Sequence, residues 1–440
     1  MKTYSVYQDS GIEWVGGIPT HWDVLKLKRV ASIVNGSTPK SSIPEYWVGN
    51  IVWVTPFDLG ILNGKMTIAD SARKITQVGL DSCGASVTPI GSIILSTRAP
   101  IGHLAITQMQ SCTNQGCKTI VPDFRQVDNR YIFYFLLAFK NILQSMGQGS
   151  TFTELSSQNL KNFTIIFPTH PEQQAIADFL DHKTAQIDEL IAKKQRQIEL
   201  LQEHRTALIN QAVTKGLNPD APMKDSGKIF FQKIPKHWTI TRLGYICEQI
   251  ADGPHYSPEY VDDGIMFLSA RNVKIDRWEL ESAKYITEEE YKKISKRIIP
   301  RKGDVLYTKG GTTGVARVVD FDEPFQVWVH IIVLKVKNEK VSPDYLAYSL
   351  NSPGCYDQSQ LLTRGATNND LGVTRVPNIT LLLPPLQEQI RIVHFLKKQT
   401  EKIDKHIKQL KKNIEQIQEF RTALISAAVT GKIDVRGEGS

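Results

Sequence analysis

Cysteine is scarce in this 440-residue chain, and the five present form no pattern. Cys83, Cys112, Cys117, Cys247 and Cys355 are odd in number and widely spaced, with no Cys-x-x-Cys and no histidine pair at zinc-site spacing. A disulfide framework and a structural zinc site are excluded, and reduced, mostly buried thiols are expected. Long apolar runs are missing too: nothing approaches the roughly 18 residues of a membrane span. Residues 1–17 carry Asp9 and Glu13 and no apolar centre, so no signal peptide is predicted and a cytoplasmic location is expected. Nor is charge strongly one-sided, since the net +8 is a modest basic excess that favours a polyanion without requiring one.

Enzyme signatures are missing as well. A translocating ATPase needs G-x-x-x-x-G-K-[ST] to cradle phosphate. The nearest stretch, Gly60 to Met66, has the wrong spacing and no hydroxyl after Lys65, and reads as a turn. An adenine methyltransferase needs an Asn/Asp-Pro-Pro site and a glycine-rich cofactor loop, and neither occurs. Asp262-Asp263 and Glu288-Glu289-Glu290 lie in polar stretches and read as solvated surface. What remains is ordinary globular composition, 41% hydrophobic and 22% charged, in a chain long enough for two or three domains.

The dominant feature present is an internal repeat. An offset of 216 aligns Ile18-Pro19-Thr20-His21-Trp22 with Ile234-Pro235-Lys236-His237-Trp238. The same offset aligns Glu172-Gln173 with Glu388-Gln389 and Arg205-Thr206-Ala207-Leu208-Ile209 with Arg421-Thr422-Ala423-Leu424-Ile425. About half of residues 171–214 are identical to their counterparts, which composition and helix periodicity do not produce. Between these anchors agreement loosens: Gly91-Ser92-Ile93-Ile94 matches Gly303-Asp304-Val305-Leu306 at offset 212.

Each repeat divides in two. Residues 17–167 and 233–383 alternate short apolar runs, such as Ile51 to Val54 and Ile331 to Leu334, with Gly, Pro, Asn and Asp, which predicts a mixed α/β domain. Beyond Pro171 and Pro385 the chain has no Pro or Gly for some forty residues. Ile187, Ile191, Ile198, Leu201 and Leu208 recur there at helical spacing, as do Ile403, Ile407, Ile414, Ile417 and Leu424 in the second copy. Glu172 and Glu388 fall in the first turns and Gly216 and Gly431 just past the ends, which predicts two long helices. A lone amphipathic rod leaves its stripe exposed, so each helix needs a partner and the other copy is at hand. The expected domains are therefore 1–167, a helix over 168–217, a linker and second domain over 218–383, and a helix and tail over 384–440. The basic excess lies in the first domain, with 13 Lys and Arg against 8 Asp and Glu over 17–167, and in the last segment, 11 against 7 over 384–440.

This ordered set resembles the specificity (S) subunit of type I restriction-modification enzymes over nearly the whole chain. The matching residues include Gly36-Ser37-Thr38-Pro39 with Trp53-Val54-Thr55-Pro56, Asp252-Gly253-Pro254-His255 with Ala270-Arg271-Asn272-Val273, and the stretch from Gln148 to Leu155. The resemblance implies two target-recognition domains, each reading half of a bipartite double-stranded DNA sequence, on two helices paired as an antiparallel coiled coil with pseudo-two-fold symmetry. It implies docking of two methyltransferase (M) subunits and of restriction (R) subunits. S-adenosylmethionine, ATP and Mg would then be bound by those partners, with no cofactor, metal, catalytic residue or membrane contact on this chain. Two rival readings stand beside it: a protein-binding structural adaptor, and a divergent fused DNA methyltransferase.

Under the resemblance, candidate DNA contacts are small polar residues and cations in loops. Lys309, Thr312 and Thr313 lie in a Lys-Gly-Gly-Thr-Thr-Gly loop whose backbone could approach phosphate, against the alternative of an ordinary turn. Thr97 and Arg98 take the corresponding place in the first copy, where Arg98 could fork onto guanine or sit in a surface ion pair. Ser37, Thr38, Lys40, His255, Tyr256 and Arg271 complete the set. His21-Trp22 and His237-Trp238 read as core anchors. Glu172-Gln173 and Glu388-Gln389 read as helix-start chemistry, with the resemblance turning that end toward the M subunits.

Overall fold

The structure, a computed structural model, describes residues 2–62, 64–148, 153–364 and 370–437. Of the matching stretch from Gln148 to Leu155, residues 149–152 lie outside the described residues, as does Asn63 in the turn after Gly60. The two long helices are His170–Lys215 in the centre of the chain and Leu386–Val429 near its C-terminus. The central helix opens on a cap in which the Glu172 carboxylate accepts from the Thr169 hydroxyl (2.8 Å) and amide (3.3 Å). Both helices stop at glycines in the left-handed region, Gly216 at φ +75° and Gly431 at φ +70°, a conformation cheap only without a Cβ.

The chain forms two compact units, residues 1–194 with 412–440, and residues 195–411. The first contains a five-stranded sheet in the order Ala31–Asn35, Cys117–Pro122, Ile93–Ser96, Leu104–Thr107, Thr67–Ile68, antiparallel except for its last pair. A smaller sheet centres on Trp47–Val54, with Ser111–Thr113 parallel on one side and Lys74–Ile75 antiparallel on the other. The second unit repeats both. Cys247–Asp252, Ile331–Val336, Val305–Thr308 and Ala316–Val318 form an antiparallel sheet. Ile265–Leu268 is flanked by Phe325–Val327, parallel, and Lys284–Ile286, antiparallel. The unbroken apolar run at 93–95 follows from burial on both faces: Ile93 and Leu95 join the main core, and Ile94 joins Val52, Val54 and Leu59 on the other side. Val305 and Tyr307 divide from Leu306 in the same way.

Within the first unit, Ile176, Phe179, Leu180 and Ile187 from the start of the central helix share a core with Leu424, Ile425, Ala428 and Val429 from the end of the other. Ile191 and Ile417 pack at its rim. Within the second, Leu208, Ile209, Ala212 and Val213 pack with Ile392, Val393 and Leu396. The start of one helix meets the end of the other in each unit, so the pair is antiparallel. Equivalent ion pairs hold the register, Arg421 to Asp188 at 3.3 Å and Arg205 to Asp404 at 3.1 Å. Ile403 and Ile407 are buried in the second unit, while Ile198, Leu201 and Ile414 are half-buried.

Each globular part also grips a helix end. The Tyr131 hydroxyl lies within hydrogen-bond reach of the Ile166 (2.9 Å) and Val429 (3.1 Å) carbonyls, and that of Tyr345 within reach of Leu382 (3.0 Å) and Val213 (3.4 Å). A second equivalent contact has reversed polarity. Arg130 pairs with Asp181 at 2.9 Å in the first unit, and Asp344 pairs with Lys397 at 2.8 Å in the second. Trp22 and Trp238 are fully buried, as expected of core anchors. All five cysteines are free and four are buried, and burial pushes the thiols of Cys112, Cys247 and Cys355 up to about 12. No described helix is long and apolar enough to cross a membrane.

Candidate nucleic-acid interface

At one end of each larger sheet, glycines permit backbone contact that a side chain would block. Gly36 follows Ala31–Asn35, and a Cβ there would overlap the Asn114 carbonyl. Gly253, in the corresponding place after Cys247–Asp252, would overlap that of Val327. Segments 36–40 and 253–257 therefore lie against loops 113–116 and 327–330. The loop after the next strand joins them: Thr97 N donates to Gly116 O (2.8 Å) and Lys309 N to His330 O (2.9 Å). A fourth segment closes each group through paired backbone bridges, Arg98 with Glu154 and Gly310 with Asp370.

In the first unit this convergence brings most of the predicted residues together. Ser37 N donates to Thr113 O (2.9 Å), Trp53 Nε1 donates to Ser37 O (2.9 Å), and the Thr38 and Gln115 side chains are hydrogen-bonded. Lys40 is exposed at the edge of the same loop. Arg98, about half-exposed, donates to Glu154 (2.9 Å), so the surface ion pair weighed against DNA contact is present. Lys118, buried, holds the other Glu154 oxygen at 3.1 Å. Burial raises the Glu154 carboxyl, but Arg98 and Lys118 outweigh that and hold it below the ordinary range. Thr97 is wholly buried, its hydroxyl within 3.4 Å of the Gly116 carbonyl and of Lys118 Nζ. Its expected role as a DNA contact is corrected to that of a loop anchor.

In the second unit the candidate contact Lys309 is turned into the protein. Its side chain is 5% exposed and its ammonium lies 2.8 Å from Asp252 and 3.5 Å from Asp370. Asp252 is fully buried and is also held by Arg297 and, at 3.1 Å, by His255. Thr313 is buried too, accepting from Gln360 at 3.1 Å. Thr312 stays exposed. Tyr256 is half-exposed, bonded to Glu290, with Lys293 Nζ 4.6 Å from its ring centre. Arg271 is exposed on the turn after Ile265–Leu268.

Burial raises the Asp252 carboxyl, but Lys309, Arg297 and His255 outweigh that and hold it below the ordinary 3.8. A carboxyl depressed on folding contributes stability that is complete above its unfolded value and lost as pH falls through the folded one. Hydrogen-exchange protection of Cys247–Asp252 and Val305–Thr308 is therefore expected to decline as pH drops below about 4, the unfolded range of Asp. Asp252→Asn should flatten that decline, and an equally steep loss in the variant would remove Asp252 as its cause.

The Glu-Gln pairs do the helix-start work read from their position, and they also bind the globular parts. Glu172 binds His21 at 2.9 Å and Glu388 binds His237 at 2.8 Å. Gln173 and Gln389 are wholly buried. Gln173 Oε1 accepts from Asp128 N (3.0 Å) and Gln389 Oε1 from Ser342 N (2.9 Å), while their amides donate to Pro168 O and Pro384 O (2.9 Å each). The pairs fasten each helix start to its own globular part. Reading the sequence alone did not name Lys118, Glu154, Asp252 or Arg297 as site residues, although Asp252 and Glu154 lie in the matching stretches. The repeat held one signal, because Glu154 and Asp370 stand 216 apart.

The described residues hold no group of three or more His, Cys, Asp or Glu able to bind a metal ion. What the clusters display is hydroxyls, amides, half-exposed cations and aromatic edges, the groups that meet base edges and phosphate. Fold and clusters together define a protein with two related binding surfaces, one carried by each half of a duplicated chain.

The chain belongs to the family described as type I restriction modification DNA specificity domain, whose model matches residues 19–200 and 235–416. It is 29% identical over 431 residues to the type I restriction enzyme MjaIX specificity subunit of Methanocaldococcus jannaschii, covering 96% of this chain and 95% of that one. Its fold is similar to that of a chain solved in work on complex assembly and conformational transition of the type I R-M system. There the TM-score is 0.73 and the identity 16%, over 94% of this chain and 99% of the other. The HsdS subunit from Thermoanaerobacter tengcongensis has the fold at TM-score 0.53 and 17% identity, over 94% of this chain and 98% of its own.

Proposed function

We propose that this chain is the DNA-recognition subunit of a type I restriction-modification complex, each unit reading one half of a split double-stranded target. The observation that carries this is the duplicated loop cluster. Its backbone contacts recur at equivalent positions while its side chains differ, with Thr97 facing the same neighbours as Lys309 and Glu154 the same as Asp370. A constant frame with changed side chains is what two readers of different sequences require. The chain itself does no chemistry. Two methyltransferase subunits and the restriction subunits dock on it and bind S-adenosylmethionine, ATP and Mg, and the complex works in the cytoplasm.

Affinity for duplex DNA is expected to fall steeply with salt, because phosphate neutralisation releases counterions. A protein-binding adaptor would give no such slope, and a fused methyltransferase would bind S-adenosylmethionine as the purified chain, which this reading does not expect. Specificity is tested by replacing residues 36–150 with the corresponding segment of a relative and mapping methylated sites in cells carrying the intact system. One half-site should change and the other persist; a change in both would defeat the assignment of one unit to each half.

A further inference from the structure

In each unit the central strand of the smaller sheet runs into a turn locked by a side-chain box. After Trp47–Val54, the Asp58 carboxylate accepts from the Thr55 amide (2.8 Å), the Thr55 hydroxyl (2.6 Å) and the Ala72 amide (2.7 Å). After Ile265–Leu268, the Asn272 side chain accepts from the Ser269 amide (2.8 Å) and hydroxyl (2.9 Å) and donates to Glu279 O (2.9 Å). Asp58 and Asn272 are both buried, so the frame of each turn is fixed. Each turn also abuts its loop cluster. Asn114 N donates to Val54 O (3.0 Å), and Trp328 N donates to Leu268 O (2.8 Å). Gly116 packs so tightly on Pro56 that a Cβ would lie 2.9 Å from the ring.

From the same position in these two turns project Phe57, 66% exposed, and Arg271, also exposed. Neither side chain has a hydrogen bond or ion pair among the described residues. A single exposed apolar side chain is ordinary. A phenylalanine on a locked turn, matched by an arginine at the equivalent place beside a loop cluster, marks a position where frame is kept and chemistry is changed.

We propose that Phe57 and Arg271 are equivalent base-reading residues, Phe57 packing on the methyl edge of a thymine and Arg271 forking onto the O6/N7 edge of a guanine. The proposal rests on the reading of the chain as a two-unit DNA reader. The guanidinium is planar and offers paired donors that lysine lacks, and the phenyl ring offers apolar contact with no donor at all. The two residues therefore impose different base preferences from one structural position.

The test uses the assembled methyltransferase complex carrying Phe57→Ala, Phe57→Arg or Arg271→Lys, with methylated sites mapped genome-wide and duplex affinity measured across salt. Phe57→Ala should relax one T·A pair in one half-site by about tenfold in preference, and Phe57→Arg should turn that preference toward G·C. Arg271→Lys should relax one G·C pair in the other half-site only. All three should leave the salt slope of binding near that of the wild type. Unchanged target sequences in every variant would overturn the proposal. So would an equal loss over all sequences with the slope reduced by about one, which marks a phosphate contact. A wild-type complex with a steep salt slope and no sequence preference would instead overturn the two-reader reading beneath it, and the proposal with it.

Discussion

Lys309→Ala is expected to destabilise the second unit by about 3 kcal/mol, the lower end of the range for breaking a buried ion pair, since Arg297 and His255 remain on Asp252. The carboxylate left behind is fully buried and loses the one buried cation among its described partners. Hydrogen exchange in Val305–Thr308 and Ile331–Val336 reports the change directly, as increased opening of the sheet that carries the lysine. Combining Lys309→Met with Asp252→Leu should recover most of the loss, because no buried charge is then unpaired. An unaltered exchange pattern in Lys309→Ala, with weakened DNA binding, would restore the phosphate role that the glycine-rich loop suggests from sequence.

Gly431→Ala should cost the first unit about 2–4 kcal/mol, of which about 1–2 is the left-handed backbone and the remainder overpacking. A Cβ at Gly431 would sit 2.5 Å from the Pro19 ring and 2.9 Å from Trp22, neither of which can move away. Gly216→Ala makes a built-in comparison. Its φ is nearly the same, but its nearest neighbours are the Glu388 carboxylate at 3.2 Å and the Trp238 ring at 3.3 Å, and the first is a side-chain end that can shift. A loss near 1–2 kcal/mol is therefore expected there. Calorimetric unfolding of both variants checks the order, and equal losses would mean that backbone conformation alone sets the cost.

What could be read from sequence depended on how local the physics was. The long helices were legible because their apolar stripe, their first-turn glutamates and their terminal glycines all lie within the segment they shape. The repeat then supplied the antiparallel partner. Trp22 and Trp238 were assigned to the core on the same grounds, and they are there. Lys309 was misread because its neutralising group, Asp252, lies far back in the chain and no local pattern announces it. Glu172 caps its helix start as its place in the first turn suggests, but its second partner, His21, stands 151 residues earlier and no local pattern announces it. Phe57 went unnoticed for the opposite reason: an aromatic residue following Thr-Pro looks like core, and only the buried Asp58 box reveals that the ring is turned out.

The reversed polarity of Arg130–Asp181 and Asp344–Lys397 bears on heredity as well as packing. Two halves descended from one ancestor can be rewritten by recombination, one copy overwriting the other. Here such a conversion of the globular segment alone would set an aspartate against Asp181, or an arginine against Lys397, where opposite charges now meet. Each partly exposed pair stabilises by about 1 kcal/mol or less, but like charges in direct opposition destabilise by a similar amount, so the exchange shifts the balance twice. The two globular segments are thus matched by charge to their own helices, and trading places within one gene is penalised.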